Sequence, residues 1–375
     1  MDVIVVGAGS IGLGCAWRAA LAGAAVVVVD PSPERAASRV AAGMLAPAGE
    51  AAFGETALLR LNLASWRRWP AFVAELEAAT GVSTGYWQCG SLFVARDADD
   101  RAALEREHRF RESLGLTVQL LSASECRALE PGLAPSVRGG MLAASDHQVD
   151  PRRLLDALRA ACAAAGVRFV QGQAALCVHH GRATGVDVDG ATALRAGAVV
   201  LAAGCWSAHV EGAPRDVLPP VRPVKGQVLR LRASAAQPLL SHVVRGVEHG
   251  YIVPRRGGEV VVGSTVEERG FDTSFTARAA YELLRDAHEL VPDVLELDIV
   301  ELCSGLRPGT PDNAPIVGQT ALPGLIAATG HYRNGVLLTP VTADAVAAEV
   351  SGGEAPAEMA PFSPARFASP VGVGT

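Results

Sequence analysis

Apolar residues fall along this chain in runs of strand length and at spacings that suit helices. Asp2 to Val6 is a short β-branched run, the pattern of a strand buried on both faces in a parallel sheet. Gly7-Ala8-Gly9-Ser10-Ile11-Gly12 follows at once. Ile11 to Ala22 then carries small and apolar residues at helical spacing and stops at Gly23. Ala24 to Val29 is a second strand, closed by Asp30. The opening of the chain therefore predicts strand, glycine turn, helix and strand.

Further along, helical patterning spans Glu55 to Thr80, and Trp87 to Val94 reads as a strand. Asp97 to Leu114 is a charged surface helix with acids early. Asp150 is an N-cap followed by Pro151 at the first helical position, so Arg152 to Ala165 is helical. Val167 to Val188 predicts short strands with turns at Gly172, Gly181 and Gly185. Ala198 to Ala203 is a strand ending in the turn Gly204-Cys205-Trp206-Ser207. Leu218 to Thr265 is strand-rich, and Phe275 to Leu290 is an amphipathic helix. Leu325 to Thr329 is a strand, Gly330 to Gly335 a loop, and Val336 to Val350 a helix. The stretch beyond Gly352 is rich in Pro, Ala and Ser and reads as mobile.

Composition narrows the function classes. The 375 residues suffice for two or three domains. Charged residues at 19% and apolar residues at 49% suit a globular chain. The net charge of −6 and scattered arginine pairs (Arg67-Arg68, Arg152-Arg153, Arg255-Arg256) argue against nucleic acid. Lys225 is the single lysine. No apolar run reaches the roughly 18–20 residues that cross a bilayer, and the N-terminus lacks the basic region of a signal peptide. The seven cysteines show no Cys-x-x-Cys spacing. They read as reduced thiols of a cytoplasmic protein without a metal site.

The glycines have separable tasks. Gly7 permits the tight turn, Gly9 lets the backbone approach a pyrophosphate, and Gly12 lets the helix pack on the strand. The helix start offers free N–H groups and a positive dipole end to phosphates, with Ser10 and Ile11 at that start. Asp30 is placed to accept from a ribose 2′-hydroxyl and disfavours a 2′-phosphate. This signature binds the ADP half of a dinucleotide but does not separate FAD from NAD. Two later features favour FAD. The strand, loop and helix from Leu325 to Val350 present a second helix start to a reduced flavin ring. The Ala198 to Ser207 strand and glycine turn mark a cofactor domain resuming after an insertion.

With those residues in place, the chain resembles the D-amino-acid oxidase family of FAD-dependent oxidoreductases, in its glycine oxidase (thiamine-pathway) branch. The resemblance runs from Val3 to about Val350. It rests on Gly7 to Gly12 with Asp30, Ala41 to Leu45, Pro223-Val224-Lys225-Gly226, Tyr251 to Arg255, Gly305 to Thr310, and Gly330 to Gly335. It implies an α/β fold with an α+β substrate domain. A Rossmann-like FAD-binding domain would comprise residues 1–82, 145–215 and 304–360. A mainly antiparallel substrate or cap domain would comprise 83–144 and 216–303, leaving 361–375 as a mobile tail.

The resemblance further implies that Arg307 anchors a substrate carboxylate through its planar fork, aided by the Tyr251 hydroxyl. Arg333 would contact cofactor and substrate, and His249 matches an active-site histidine. Cofactor contacts would come from Pro31, Ala37, Ser38, Ala42, Gly43, Met44, Ala175, Gly204, and His331, Tyr332, Arg333, Asn334, Gly335, Val336 and Leu337. Related sarcosine oxidases tether flavin to a cysteine, a position that falls here on Gly305 and not on Cys303. Non-covalent FAD is therefore expected, with Cys303 a small core residue. Gly263-Ser264-Thr265-Val266 departs from the Gly-Ala-Thr-Met of glycine oxidases, and the shorter Val266 is expected to reshape the pocket wall.

The activity implied is oxidation of glycine, and of sarcosine or small D-amino acids, by O2 to the imine and hydrogen peroxide, the glycine imine then hydrolysing to glyoxylate and ammonia. Hand-off to a thiazole synthase and a homo-oligomer, a tetramer by resemblance, belong to the same expectation. Three rivals stand beside it: a D-amino-acid or sarcosine oxidase or dehydrogenase on the same fold, a partner-binding or RNA-modifying flavoprotein, and a non-enzymatic NAD sensor.

Overall fold

A computed structural model describes residues 2–234, 236, 238–247 and 250–367. The opening unit folds as its pattern predicts: β1 (Val3–Val6), α1 (Ser10–Leu21) and β2 (Val26–Asp30). These strands sit inside a six-stranded sheet. Its order is Ile316–Gln319, Leu325–Thr329, Ala198–Leu201, β1, β2 and Arg168–Gln171. Only the Ile316–Gln319 strand runs antiparallel to its neighbour.

The unbroken valines of β1 and β2 are explained by what covers the sheet. Val3, Val5, Val26 and Val28 pack into a core with α1 and the helices Thr56–Thr80, Pro151–Ala164 and Thr339–Ser351. Ile4, Val6, Val27 and Val29 face a three-stranded antiparallel sheet formed by 174–179, 182–188 and 192–195. Alternate residues of one strand thus feed two cores, and neither face meets water.

A second, eight-stranded sheet has the order Asp298–Gly309, Arg222–Arg232, Glu259–Gly263, Tyr251–Pro254, Val243–Gly246, Ser91–Ala95, Gly139–Ala143 and Gln119–Leu121. Its one parallel pair joins Val243–Gly246 to Ser91–Ala95. One face packs against the helix Ala277–Leu290 through Leu229, Leu231, Val260, Val262, Leu283 and Leu290. The opposite face looks into the cleft described below.

Some local expectations need correction. Gly185 lies inside the strand Arg182–Val188, at a shift of register, and makes no turn. The strand expected at Trp87 begins at Ser91, and Trp87 forms only an isolated bridge to Gln148. The boundary expected at residue 304 falls within the strand Asp298–Gly309, so Arg307 sits on a sheet edge. Residues 361–367, expected in a mobile tail, are folded: Met359 and Phe362 are buried in the main core, and Arg366 pairs with Asp312 at 2.8 Å. Residues 368–375 lie outside the described residues.

Candidate active site

Between the two large sheets runs one cleft of about 920 Å³. Gly7, Gly9, Ser10, Ile11, Asp30, Pro31, Ala37, Ser38, Ala42, Gly43, Met44, Gly204, Tyr251, Arg307 and the run His331 to Leu337 all line it. Gly12 lies beneath the turn, where a Cβ would overlap the Gly7 carbonyl oxygen. Ala175 misses the cleft by one residue: Gln173 and Ala174 line it instead. His249 lies outside the described residues.

One end of the cleft is built by the opening unit. Gly7 has φ +111°, and a Cβ there would overlap the Ala202 carbonyl, so only glycine fits. Gly9 caps α1 without a side-chain acceptor. That leaves first-turn N–H groups aimed at the cleft, except that Ser10 N donates to Ser38 Oγ at 3.2 Å. Asp30 accepts from Ala8 N at 2.6 Å and Ser32 N at 2.7 Å. Its carboxylate is thereby fixed at the mouth of the turn, with lone pairs left for a ribose hydroxyl. Glycine cradle, open helix start and fixed acid fit the ADP part of FAD.

The other end is walled by the eight-stranded sheet, and its register decides which side chains meet. Val224 pairs with Arg307, Val228 with Gly263, Gly263 with Tyr251, Tyr251 with Arg245, and Arg245 with Phe93. Since side chains alternate across a strand, Arg307, Tyr251, Arg245 and Phe93 share the cleft face. Arg307 Nη1 donates to Lys225 O at 3.3 Å and Thr265 O at 3.1 Å, and Nη2 donates to Ser264 Oγ at 2.7 Å. The guanidinium lies flat over Gly226, where any Cβ would collide with it. Val266 is 64% exposed at the rim, so it shapes the entrance more than the wall.

Sequence reasoning missed a charged cluster on this wall. Glu50 bridges Arg245 at 2.8 Å and Arg333 at 3.2 Å, and Arg333 also reaches Glu55 at 3.2 Å. Burial pushes the Glu50 carboxyl up, but Arg245 and Arg333 together hold it below the usual range. Asp146, fully buried, accepts from Ala48 N at 3.2 Å and Gly49 N at 3.1 Å. Burial pushes it up to about 7 against the pull of Arg245. A carboxyl raised in the folded state favours folding below its unfolded value near 4, and that contribution is lost as pH rises through about 7. Asp146→Asn is therefore expected to flatten the fall of melting temperature between about pH 4 and pH 7. Thermal melts of both proteins across that range check this, and parallel curves would refute it.

His331 is buried, with Nε2 3.0 Å from Thr342 Oγ1, and burial lowers it to about 3, so it stays neutral beside the cleft. The cysteines are all free, and all but Cys177 are buried. Burial raises the thiols of Cys15, Cys89, Cys126, Cys162, Cys205 and Cys303. Among the described residues, no group of His, Cys, Asp and Glu is arranged to hold a metal ion, and no helix is long and apolar enough to cross a membrane.

With this geometry in hand, comparison with known proteins is specific. A model of the family described as FAD dependent oxidoreductase (DAO) matches residues 2–349. The bifunctional protein ThiO/ThiG of Nostoc sp. is 36% identical over 92% of this chain, which spans only 52% of that longer protein. The glycine oxidase of Geobacillus kaustophilus is 35% identical over 99% of this chain and 98% of its own. The crystal structure of glycine oxidase from that organism superposes with a TM-score of 0.90 at 34% identity, covering 98% of both chains.

Proposed function

This chain belongs to the FAD dependent oxidoreductase family, and on that premise we propose that it oxidises glycine to the imine, releasing glyoxylate, ammonia and hydrogen peroxide. The protein is an enzyme with FAD as its cofactor. Bound without a covalent tether, FAD supplies the two-electron acceptor for the substrate Cα–H bond. By resemblance, Gly305 stands where sarcosine oxidases carry a tethering cysteine; the buried Cys303 does not line the cleft.

The observation that carries this reading is Arg307. A guanidinium has five N–H donors. Its three hydrogen bonds to the protein use both Nη1 donors and one of Nη2, leaving two, Nε–H and one Nη2–H, the number one carboxylate accepts in a fork. Tyr251 stands on the same face, and its hydroxyl has no hydrogen-bond partner among the described residues. Arg307 and Tyr251 then hold the carboxylate and orient the Cα. Arg333 closes the cleft beside the substrate, braced by Glu50 and Glu55. His249, which by resemblance matches an active-site histidine, lies outside the described residues. No carboxylate pair is required, because the substrate enters with a neutral amine and positioning does most of the work.

A peroxide-coupled screen of glycine, sarcosine, D-alanine and D-proline with FAD-loaded protein tests this. Glycine is expected to turn over with the highest kcat/KM. Turnover of sarcosine or a D-amino acid without glycine would replace the reading by an oxidase of the same fold with another substrate. Dependence on an artificial acceptor in place of O2 would make it a dehydrogenase. The reading extends to a homo-oligomer in the cytoplasm whose imine passes to a thiazole synthase. The oligomer and its location rest on the resemblance alone, and the hand-off is supported also by the two-part ThiO/ThiG relatives.

A further inference from the structure

We propose that Lys225, the only lysine of the chain, is a positioning residue that sets the aim of Arg307 by pinning the segment 264–276. The inference rests on the reading of Arg307 as the carboxylate anchor.

Lys225 lies one residue before Gly226, so its side chain leaves the strand on the face opposite the cleft. It is 1% exposed there. An ammonium taken out of water needs partners, and Lys225 Nζ finds Asp272 Oδ2 at 2.7 Å and Ser274 Oγ at 3.3 Å. Both partners belong to the segment that leaves the strand Glu259–Gly263. The backbone of Lys225 grips the same segment. Its N–H donates to Glu267 O at 2.9 Å, and its carbonyl accepts from Glu267 N at 3.0 Å. Gln227 repeats the pattern two residues on: its carbonyl accepts from Thr265 N at 3.2 Å and its side-chain Oε1 from Thr276 N at 2.8 Å.

This laced segment is also what Arg307 leans on. Every protein acceptor of Arg307 lies on the seam: Ser264 Oγ, Thr265 O and the carbonyl of Lys225 itself. At its far end Phe271 packs on Trp206 and His209, at ring-centre distances of 6.0 and 5.2 Å, and Trp206 lines the cleft. A shift of the segment therefore moves the acceptors that choose which two Arg307 donors remain for a carboxylate. The Lys225–Asp272 pair is the charged anchor whose cation is buried, beside the exposed Arg222–Glu268 pair at 3.2 Å on the same segment.

Asp272 is the better position to vary, because its side chain is 46% exposed against 1% for Lys225, and Asp272→Asn still offers the ammonium a polar partner. Acetate is the probe, titrated into FAD-loaded protein and followed by the flavin spectrum. Asp272→Asn and Asp272→Ala are expected to weaken acetate on the order of ten-fold, with FAD affinity unchanged and Asp272→Glu restoring much of the loss. Because the chain has one lysine, acetylation at Lys225, read on its own peptide by mass spectrometry apart from the α-amino group, is expected to speed up in Asp272→Asn. Acetate affinity within two-fold of wild type in both variants overturns the proposal, whether or not labelling speeds up. If Arg307→Ala also leaves acetate binding intact, the reading of Arg307 itself fails. If Arg307→Ala abolishes acetate binding while both Asp272 variants keep it, only the role of Lys225 fails.

Discussion

Arg307→Ala is expected to raise the KM for glycine by about 10²–10³-fold while FAD stays bound. The size follows from what is removed. Truncating one partner of a buried, hydrogen-bonded charge pair costs about 2–5 kcal/mol, and each 1.4 kcal/mol is ten-fold in affinity. FAD is spared because Arg307 stands on the sheet wall, far in sequence and place from the Gly7 turn. The carbonyl of Lys225 loses this donor but still accepts from Glu267 N at 3.0 Å. Steady-state kinetics with the flavin content measured on the same sample are the check. Near-normal glycine turnover would sink the assignment of Arg307. A companion variant separates presence of the arginine from its aim. Gly226→Ala keeps Arg307 but puts a methyl group into its guanidinium, so its KM is expected to rise too, by a smaller factor.

The second large effect is expected at the other end of the cleft: Gly7→Ala should yield protein without flavin. Alanine at φ +111° pays strain of about 1–3 kcal/mol. Its Cβ also overlaps the Ala202 carbonyl, which follows the strand Ala198–Leu201 beside β1 and has nowhere to retreat. The turn must open, and the N–H groups at the start of α1 lose their aim. Flavin absorbance relative to protein absorbance after purification reads the outcome directly, together with the gain in melting temperature on adding FAD. Wild-type flavin content in this variant would show that Gly7 does not shape the phosphate cradle.

These two ends were unequally legible in the sequence. The opening unit is local: strand, glycine turn, helix and acid follow within the first thirty residues, so each glycine has its partner nearby. Arg307 was legible through its motif, but its neighbours were not. Glu50, Arg245 and Arg333 come from three distant segments, and only the register of the eight-stranded sheet and the loop before the last helix brings them together. No spacing along the chain encodes that meeting. The Ala174 and Ala175 exchange is a smaller case of the same limit, since a slip of one residue turns a strand side chain to the other face. The last helix begins at Thr339 and not at Val336, because a 3-10 turn at Tyr332–Asn334 takes up the loop first. The terminal segment was misread on composition. Its prolines and alanines suggest mobility, yet Met359 and Phe362, three apart, plug the main core.

The burial of the cysteines takes on a second meaning once the product is considered. Peroxide oxidises sulfur through the thiolate, and a thiol held protonated reacts slowly. With six of its seven thiols raised by burial, the polypeptide would present little reactive cysteine to the hydrogen peroxide of the proposed reaction. The thioether of Met44, half-buried and lining the cleft, stands in the path instead. Sulfoxide at Met44 would add bulk and polarity beside the ring while the fold stays intact, so ageing of such a catalyst would begin as a loss of turnover and only later as a loss of structure.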